Sequence, residues 1–391
     1  MSQSFTNQYL FEQPYNGNGS SVAAGPSDRW ILAAVFLLMV AGLLAVYSSI
    51  AYFATTKGTT ASAMVIGHAA KLVISLFVII FVSKIKYEVI AEFSSYVLLL
   101  SWFFLIIVTL HGTEVFGARR SLSIGGFSFQ PSSMAVVALL MHVASKVSKK
   151  QDYIHDFMKT VIPLMVWIVG TAFLIALEDF STAALLVFMC FMIMFIGRVK
   201  LSHILAFVLI GVIGGGAILA QSAERQSRVT NYVTQIKHVE SSEFQLGSGY
   251  QTQQSQIAIA RGGVFGVGIG KSTQRDFLPA PYNDFIFSII VEEYGLIGVG
   301  YVLILYLVIL FRGMIIIARR AKDPLAMLMA VGCTLGITMY AFVNAGVAVG
   351  LLPVTGLPMP FISFGGTSML FSGIMVGVLL QISKRGGSAY A

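Results

Sequence analysis

The chain has 391 residues, of which 57% are hydrophobic and 11% charged, with a formal net charge of +8. Apolar runs recur at about 20 residues, the length a helix needs to cross a bilayer. This excludes a soluble domain and points to an all-α polytopic membrane protein with one membrane domain; no nucleic acid is needed to account for the charge.

Residues 1–28 are rich in Asn, Gln, Ser and Gly and hold no apolar run, so they read as a disordered tail. The first apolar stretch has no small-residue cleavage site and reads as an anchor, not a removable signal. Ten membrane helices are expected, near 30–53, 63–83, 90–110, 131–146, 158–177, 181–197, 202–220, 284–311, 324–346 and 366–383. They fill a membrane domain over 29–385, and 386–391 form a short tail. Ser145 and Lys146 cut the fourth helix short. Cys190 and Cys333 lie inside apolar runs and read as small core residues, not as a disulfide or metal ligands.

Alternate loops carry the positive charge: Lys84 and Lys86; Lys146, Lys149 and Lys150; Arg198 and Lys200; Arg312, Arg319, Arg320 and Lys322; Lys384 and Arg385. That places both termini in the cytoplasm and makes 221–283, between helices 7 and 8, a large extracytoplasmic loop. Arg119 and Arg120 then lie outside in the loop 111–130, against the rule, and six more basic residues lie in 221–283. Basic residues kept on the outer face suit an anionic ligand. Within the long loop Val229, Tyr232, Val233, Ile236 and Val239 recur at helical spacing beside Arg225, Arg228 and Lys237. The pattern predicts a short amphipathic helix, lying in the outer interface or packed on the bundle.

The segment 262–295 is the most informative. Gly262, Gly263, Gly266, Gly268 and Gly270 would let backbone approach a ligand, and Lys271 and Arg275 can meet phosphate. The spacing is not that of a nucleotide-binding loop. Asp284 sits where this loop becomes helix 8; a carboxylate there also simply suits the helix dipole. Glu292 lies about 12 Å further along the helix, with Glu293 beside it. Intramembrane acids are costly and normally paired. Lys71 is the only cation deep in another helix, so an ion pair between Lys71 and Glu292 or Glu293 is expected, for the fold or for substrate handling. Residues 344–368 hold Pro353, Pro358 and Pro360 among glycines. This is broken backbone at membrane depth, which survives only when packed in protein or lining a cavity.

Several ordered motifs carry a family resemblance. They are Gly117-Ala118-Arg119-Arg120, Phe129-Gln130-Pro131-Ser132, Gly249-Tyr250-Gln251 with Gln254-Ser255, the 262–295 segment, and 344–368. Together they cover essentially all ten helices, and the chain resembles the SEDS family that contains FtsW, RodA and SpoVE. Thr273 through Pro279 and Gly365-Gly366-Thr367-Ser368 are more similar to the FtsW branch. The resemblance implies a peptidoglycan glycosyltransferase that polymerises lipid II at the outer face of the bacterial inner membrane, at the division septum. The implied partners are a class B penicillin-binding protein and other divisome membrane proteins. The family's essential acid falls on Asp284, as general base on the acceptor 4-hydroxyl. Arg119, Arg120, Arg261, Lys271 and Arg275 are expected to meet the pyrophosphate, with Gln130, Gln254, Ser255, Asn344 and Ser363 as further substrate contacts. A divalent cation, Mg2+ or Mn2+, is implied by resemblance alone.

Two departures stand out. The family's Glu and Lys after Gln-Pro-Ser are Ser133 and Val136 here, so an ion pair is missing without either partner being stranded. Its Glu and His ahead of the acid are Ala280 and Tyr282, which puts a second acid at this loop in doubt. The competing readings are an elongation polymerase of the RodA type, a flippase for lipid-linked precursors, and a non-catalytic scaffold for a penicillin-binding protein. Outward placement of Asp284 favours a polymerase over a flippase.

Overall fold

The computed structural model describes residues 27–56, 61–115, 118–124, 127–220, 248–278, 281–321 and 323–386, with Gln226, Thr230 and Tyr232 between them. Eleven helices are used below: α1 (Arg29–Thr56), α2 (Ala61–Val82), α3 (Tyr87–His111), α4 (Pro131–Lys149), α5 (Ile162–Ala176), α6 (Phe180–Ile196), α7 (Leu201–Ala220), α8 (Ser248–Gly262), α9 (Ile286–Phe311), α10 (Pro324–Ala348) and α11 (Ser368–Gly386). Wide π-helical turns precede α5 at Phe157–Val161 and follow α9 at Arg312–Ile317. Among the described residues, 7 helical segments are long and apolar enough to span a bilayer, and Phe180–Ile196 and Leu201–Gly216 are shorter apolar helices. This is a multi-pass helical membrane protein. The tails at 1–26 and 387–391 lie outside the described residues.

Helix α4 is the least apolar of these spans and the most enclosed, 83% buried. Ser132, His142 and Ser145 are buried in it. Polar residues in α4 therefore face protein, not lipid, and the helix runs past Ser145 and Lys146 to Lys149, three residues beyond its expected end. Cys190 and Cys333 are buried and unbridged.

The segment expected to be a plain loop, 111–130, holds a small antiparallel sheet. Its strands are β1 (Thr113–Val115), β2 (Ala118–Ile124) and β3 (Phe127–Phe129), in the order β1-β2-β3. The signal was the alternation of Ser121 and Ser123 with Leu122 and Ile124.

Helix α8 was also not expected, because its sequence is rich in glutamine and lacks an apolar stripe. Its buried positions are Thr252, Ser255, Ala258 and Gly262, a stripe of small residues at helical spacing. Small residues let α8 lie close on α9, as in packed membrane helices. The amphipathic helix expected over 229–239 lies outside the described residues, apart from Thr230 and Tyr232. The Tyr232 hydroxyl donates to the Leu351 carbonyl at 2.6 Å.

Helix α9 is broken at Gly295, which has φ 67° and ψ −163°, a backbone conformation open essentially to glycine alone. The break leaves carbonyls and amides without helical partners, and the glycine loop after α8 supplies them. Val267 and Gly268 donate to the carbonyls of Glu292 and Glu293 at 2.8 and 3.1 Å. Leu296 and Ile297 donate back to Gly263 and Val264 at 3.0 and 3.3 Å. A Cβ on Gly266 would run into the Glu293 carbonyl, and one on Gly295 into that of Val264. These glycines bring backbone close to backbone. Part of this loop clasps α9, while a Cβ on Gly263 or Gly270 would meet nothing.

Candidate functional site

Asp284 lies in a turn ahead of α9, whose N-cap is Phe285. It therefore precedes the helix and does not open it, and the helix dipole alone does not account for it. Three successive carbonyls of this turn are gripped from the far end of the chain. The Tyr282 carbonyl accepts from the Phe364 amide at 2.8 Å. That of Asn283 accepts from the Ser363 hydroxyl at 2.7 Å. That of Asp284 accepts from the Asn344 side-chain amide at 2.9 Å, and the same amide donates to Leu357 at 2.8 Å. Below the turn, Phe285 packs with Leu278, Ile289 and Val347 in a small apolar cluster. Half-buried Asp284 thus sits on backbone held through three successive carbonyls.

Two of these contacts come from residues 349–367, which are non-helical and buried chiefly from Leu357 onward, and the third comes from Asn344 in α10. Phe361 adopts φ 65° there. Tyr306 of α9 donates to the Pro360 carbonyl and ties the segment to the bundle. Under it lies a narrow cavity of about 50 Å³, lined among others by Gln130, Ser132, Ser133, Val136, Asp179 and Ser363. The Gln130 amide donates to Thr367 at 3.0 Å. Ser133 and Val136 both line this cavity, and among the described residues its wall carries no lysine or arginine.

The Tyr282 hydroxyl is pushed up to about 12, first by burial and then by the charge of Asp284. It stays protonated at neutral pH.

The two glutamates are held elsewhere, and the expected ion pair with Lys71 is not formed. Glu292 accepts from the Ser272 hydroxyl and from the amides of Thr273 and Gln274 at 3.1 and 3.3 Å. Arg261 lies 3.7 Å from it. Glu293 accepts from the Ser48 hydroxyl of α1, while Arg275 donates to the Ser48 carbonyl at 2.9 Å. The glutamates face α1 and the loop after α8, whereas α2 packs on α1 and α11 and turns Lys71 towards Phe364. The Lys71 ammonium stands 4.5 Å from the centre of the Phe364 ring.

The expected site residues therefore fall into groups. Asp284, Asn344 and Ser363 form one unit, with the last two committing their donors to backbone. Arg261 and Arg275 join the glutamate network. Ser255 donates to the Ala348 carbonyl at 2.7 Å and meets Ser288. Gln254 is half-buried on α8, and Lys271 is exposed. Arg119 and Arg120 lie on β2, their side chains outside the described residues. Tyr282 and Phe364 were not expected at the site; their signal was position, immediately beside Asp284 and Ser363. No group of three or more His, Cys, Asp or Glu side chains gathers to hold a metal among the described residues. A single carboxylate suits a cation that arrives on substrate phosphates, as magnesium commonly does.

The fold and site define a multi-pass helical membrane protein with one anchored acid against a broken, protein-packed segment. Residues 28–387 match the FtsW, RodA and SpoVE family of cell cycle proteins, and the chain belongs to that family. It is 34% identical over 362 residues to stage V sporulation protein E of Bacillus subtilis, covering 91% of this chain and 97% of that one. It is 32% identical over 365 residues to a probable peptidoglycan glycosyltransferase FtsW of Coxiella burnetii, covering 91% and 96%. Among solved structures, a chain of a peptidoglycan synthase complex described as coordinating polymerization and crosslinking matches with a TM-score of 0.73 at 22% identity, covering 92% and 98%. The rod shape determining protein RodA of Thermus thermophilus matches with 0.66 at 20% identity, covering 92% and 97%. These two establish a shared fold.

Proposed function

We propose that this chain is a peptidoglycan glycosyltransferase that polymerises lipid II at the outer face of the bacterial cytoplasmic membrane, for the septal wall. Family membership and relatives named peptidoglycan glycosyltransferase support the activity. Relatives named FtsW and a sporulation protein support division over elongation. Both termini are cytoplasmic in this reading, which puts Asp284 near the outer headgroups.

The observation that carries the reading is the grip on the carbonyls of Tyr282, Asn283 and Asp284. A general base must be held within a fraction of an ångström of its working position. The Asp284 carboxylate takes the proton of the acceptor's 4-hydroxyl as that oxygen attacks C1 of the donor sugar. The C1–oxygen bond to the pyrophosphate breaks, and undecaprenyl pyrophosphate leaves with the electron pair. The donor is α-linked and the product β-linked, so the configuration inverts. Such a base contributes about 10²–10⁴ in rate. Lys271 in the glycine loop, and Arg261 at the end of α8 beside Glu292, are the exposed cations nearest in sequence for the leaving pyrophosphate. A bound Mg2+ or Mn2+ would neutralise the same group; Asp284 is the residue that would hold it. The partner is a class B penicillin-binding protein, which supplies the crosslinking step.

The test is a gel assay of glycan strands made from lipid II by the purified chain with its penicillin-binding protein made transpeptidase-dead. Long strands from the wild type and none from Asp284→Asn support the reading. Full polymerisation by Asp284→Asn sinks the base assignment, and lipid II translocation without strands would favour a flippase.

A further inference from the structure

Lys71 is the one charged residue of α2, and His68 lies one turn before it on the same face. His68 lacks what a buried polar group needs, and Lys71 is half-buried beside it. His68 is fully buried, and neither ring nitrogen has a hydrogen-bond partner among the described residues. Lys71 has a ring beneath its ammonium, and the ion pairs among the described residues do not include it. Buried polar groups are almost always satisfied, and ionisable residues inside a membrane domain mark functional positions when they are not.

Their location supplies the reason. Both address Phe364: His68 stacks on its ring with centroids 5.5 Å apart and planes at 24°, and Lys71 stands 4.5 Å over it. The Tyr282 ring meets the same phenyl edge-on, at 5.5 Å and 86°. The Phe364 amide also holds the Tyr282 carbonyl. A cation and an imidazole are therefore separated by one phenyl ring from the turn that bears Asp284. Among the described residues, the neighbouring cavity offers hydroxyls from Ser132, Ser133, Ser363 and Ser368 but no lysine or arginine, whereas α2 brings the Lys71 ammonium to Phe364.

We infer that Lys71 and His68 form an anion subsite that takes the pyrophosphate group of a lipid-linked substrate beside Asp284. The inference rests on the proposed function and names the part of the substrate that α2 meets. An ammonium offers three donors to phosphate oxygens without fixed geometry, and one imidazole N–H adds a fourth. The Phe364 face holds the ammonium in position beforehand by its ring quadrupole. The occupant brings the missing negative charge to Lys71 and an acceptor to His68.

Binding is measured without polymerisation, on the full chain in nanodiscs, for three probes: undecaprenyl pyrophosphate, undecaprenol and inorganic pyrophosphate. The wild type is expected to prefer the pyrophosphate lipid to the alcohol by about tenfold or more, the worth of a charged hydrogen bond. Lys71→Gln should remove most of that preference while holding undecaprenol normally, and Lys71→Arg should keep it. Inorganic pyrophosphate bound in a Lys71-dependent way assigns the site to the phosphates alone; its failure to bind assigns it to headgroup and tail together. An unchanged preference in Lys71→Gln overturns the inference. Should Lys71→Gln lose undecaprenol as well, His68→Phe decides: a lowered preference supports the subsite and an unchanged one rejects it. A chain that makes no glycan strands yet shows Lys71-dependent selectivity would end the proposed function and leave the subsite standing.

Discussion

The clasp on α9 makes a sharp prediction through Gly295→Ala. At φ 67° and ψ −163°, an alanine costs about 1–3 kcal/mol in backbone strain alone. Its Cβ also runs into the Val264 carbonyl, so the loop must lift away. Lifting breaks the bonds from Val267, Gly268, Leu296 and Ile297, each worth about 1 kcal/mol net. Full opening therefore costs on the order of 5 kcal/mol. Gly300 is the control, because it lies in the same helix and a Cβ there meets open space. Alanine at that position gains helix propensity, up to about 1 kcal/mol. The assay is the melting midpoint of the detergent-purified chain, followed by the loss of its monodisperse gel-filtration peak on heating. Gly295→Ala should melt about 5 °C or more below the wild type, and Gly300→Ala at or slightly above it. Equal midpoints for Gly295→Ala and the wild type, or an equal fall in both variants, would refute the clasp.

Two further outcomes follow from the site. Asn344→Ala removes the donor to both the Asp284 and Leu357 carbonyls. It should lower kcat by about ten- to a hundredfold with the KM for lipid II nearly unchanged, since it misplaces the base and not the substrate; steady-state kinetics on lipid II decide, and a change in KM alone would contradict the positioning role. Glu292→Gln weakens the hold on Arg261, Ser272, Thr273 and Gln274. Faster proteolysis or amide exchange across 262–276 is expected, and exchange at the wild-type rate would count against that anchor.

The readable part of this chain was whatever expresses itself locally. Spans such as α1 and α3 are continuous apolar runs, and lipid imposes that pattern directly. The break over 349–367 was equally plain, because Pro353, Pro358 and Pro360 cannot continue a helix. Helix α8 escaped because its packing depends on small residues, and Thr252, Ser255 and Ala258 look like loop composition until α9 is set against them. The glycine loop was visible but its purpose was not: whether such backbone approaches a ligand or a broken helix depends on the fold at Gly295. Lys71 and the glutamates failed as a pair for the same reason, since pairing by elimination assumes adjacency and α2 faces Phe364. At the site, Asp284, Asn344 and Ser363 were all singled out. What was missing was that Asn344 and Ser363 spend their donors on the backbone of the Asp284 turn.

The central claim is that Asp284 acts as base from a turn that the rest of the protein holds still. Its most direct measurement is the rate of strand extension by Asp284→Asn at saturating lipid II, beside lipid II affinity for the same variant. The account predicts a fall in rate of about 10²–10⁴ with affinity within about twofold. A rate within tenfold of the wild type, or a loss explained entirely by weaker binding, would contradict it.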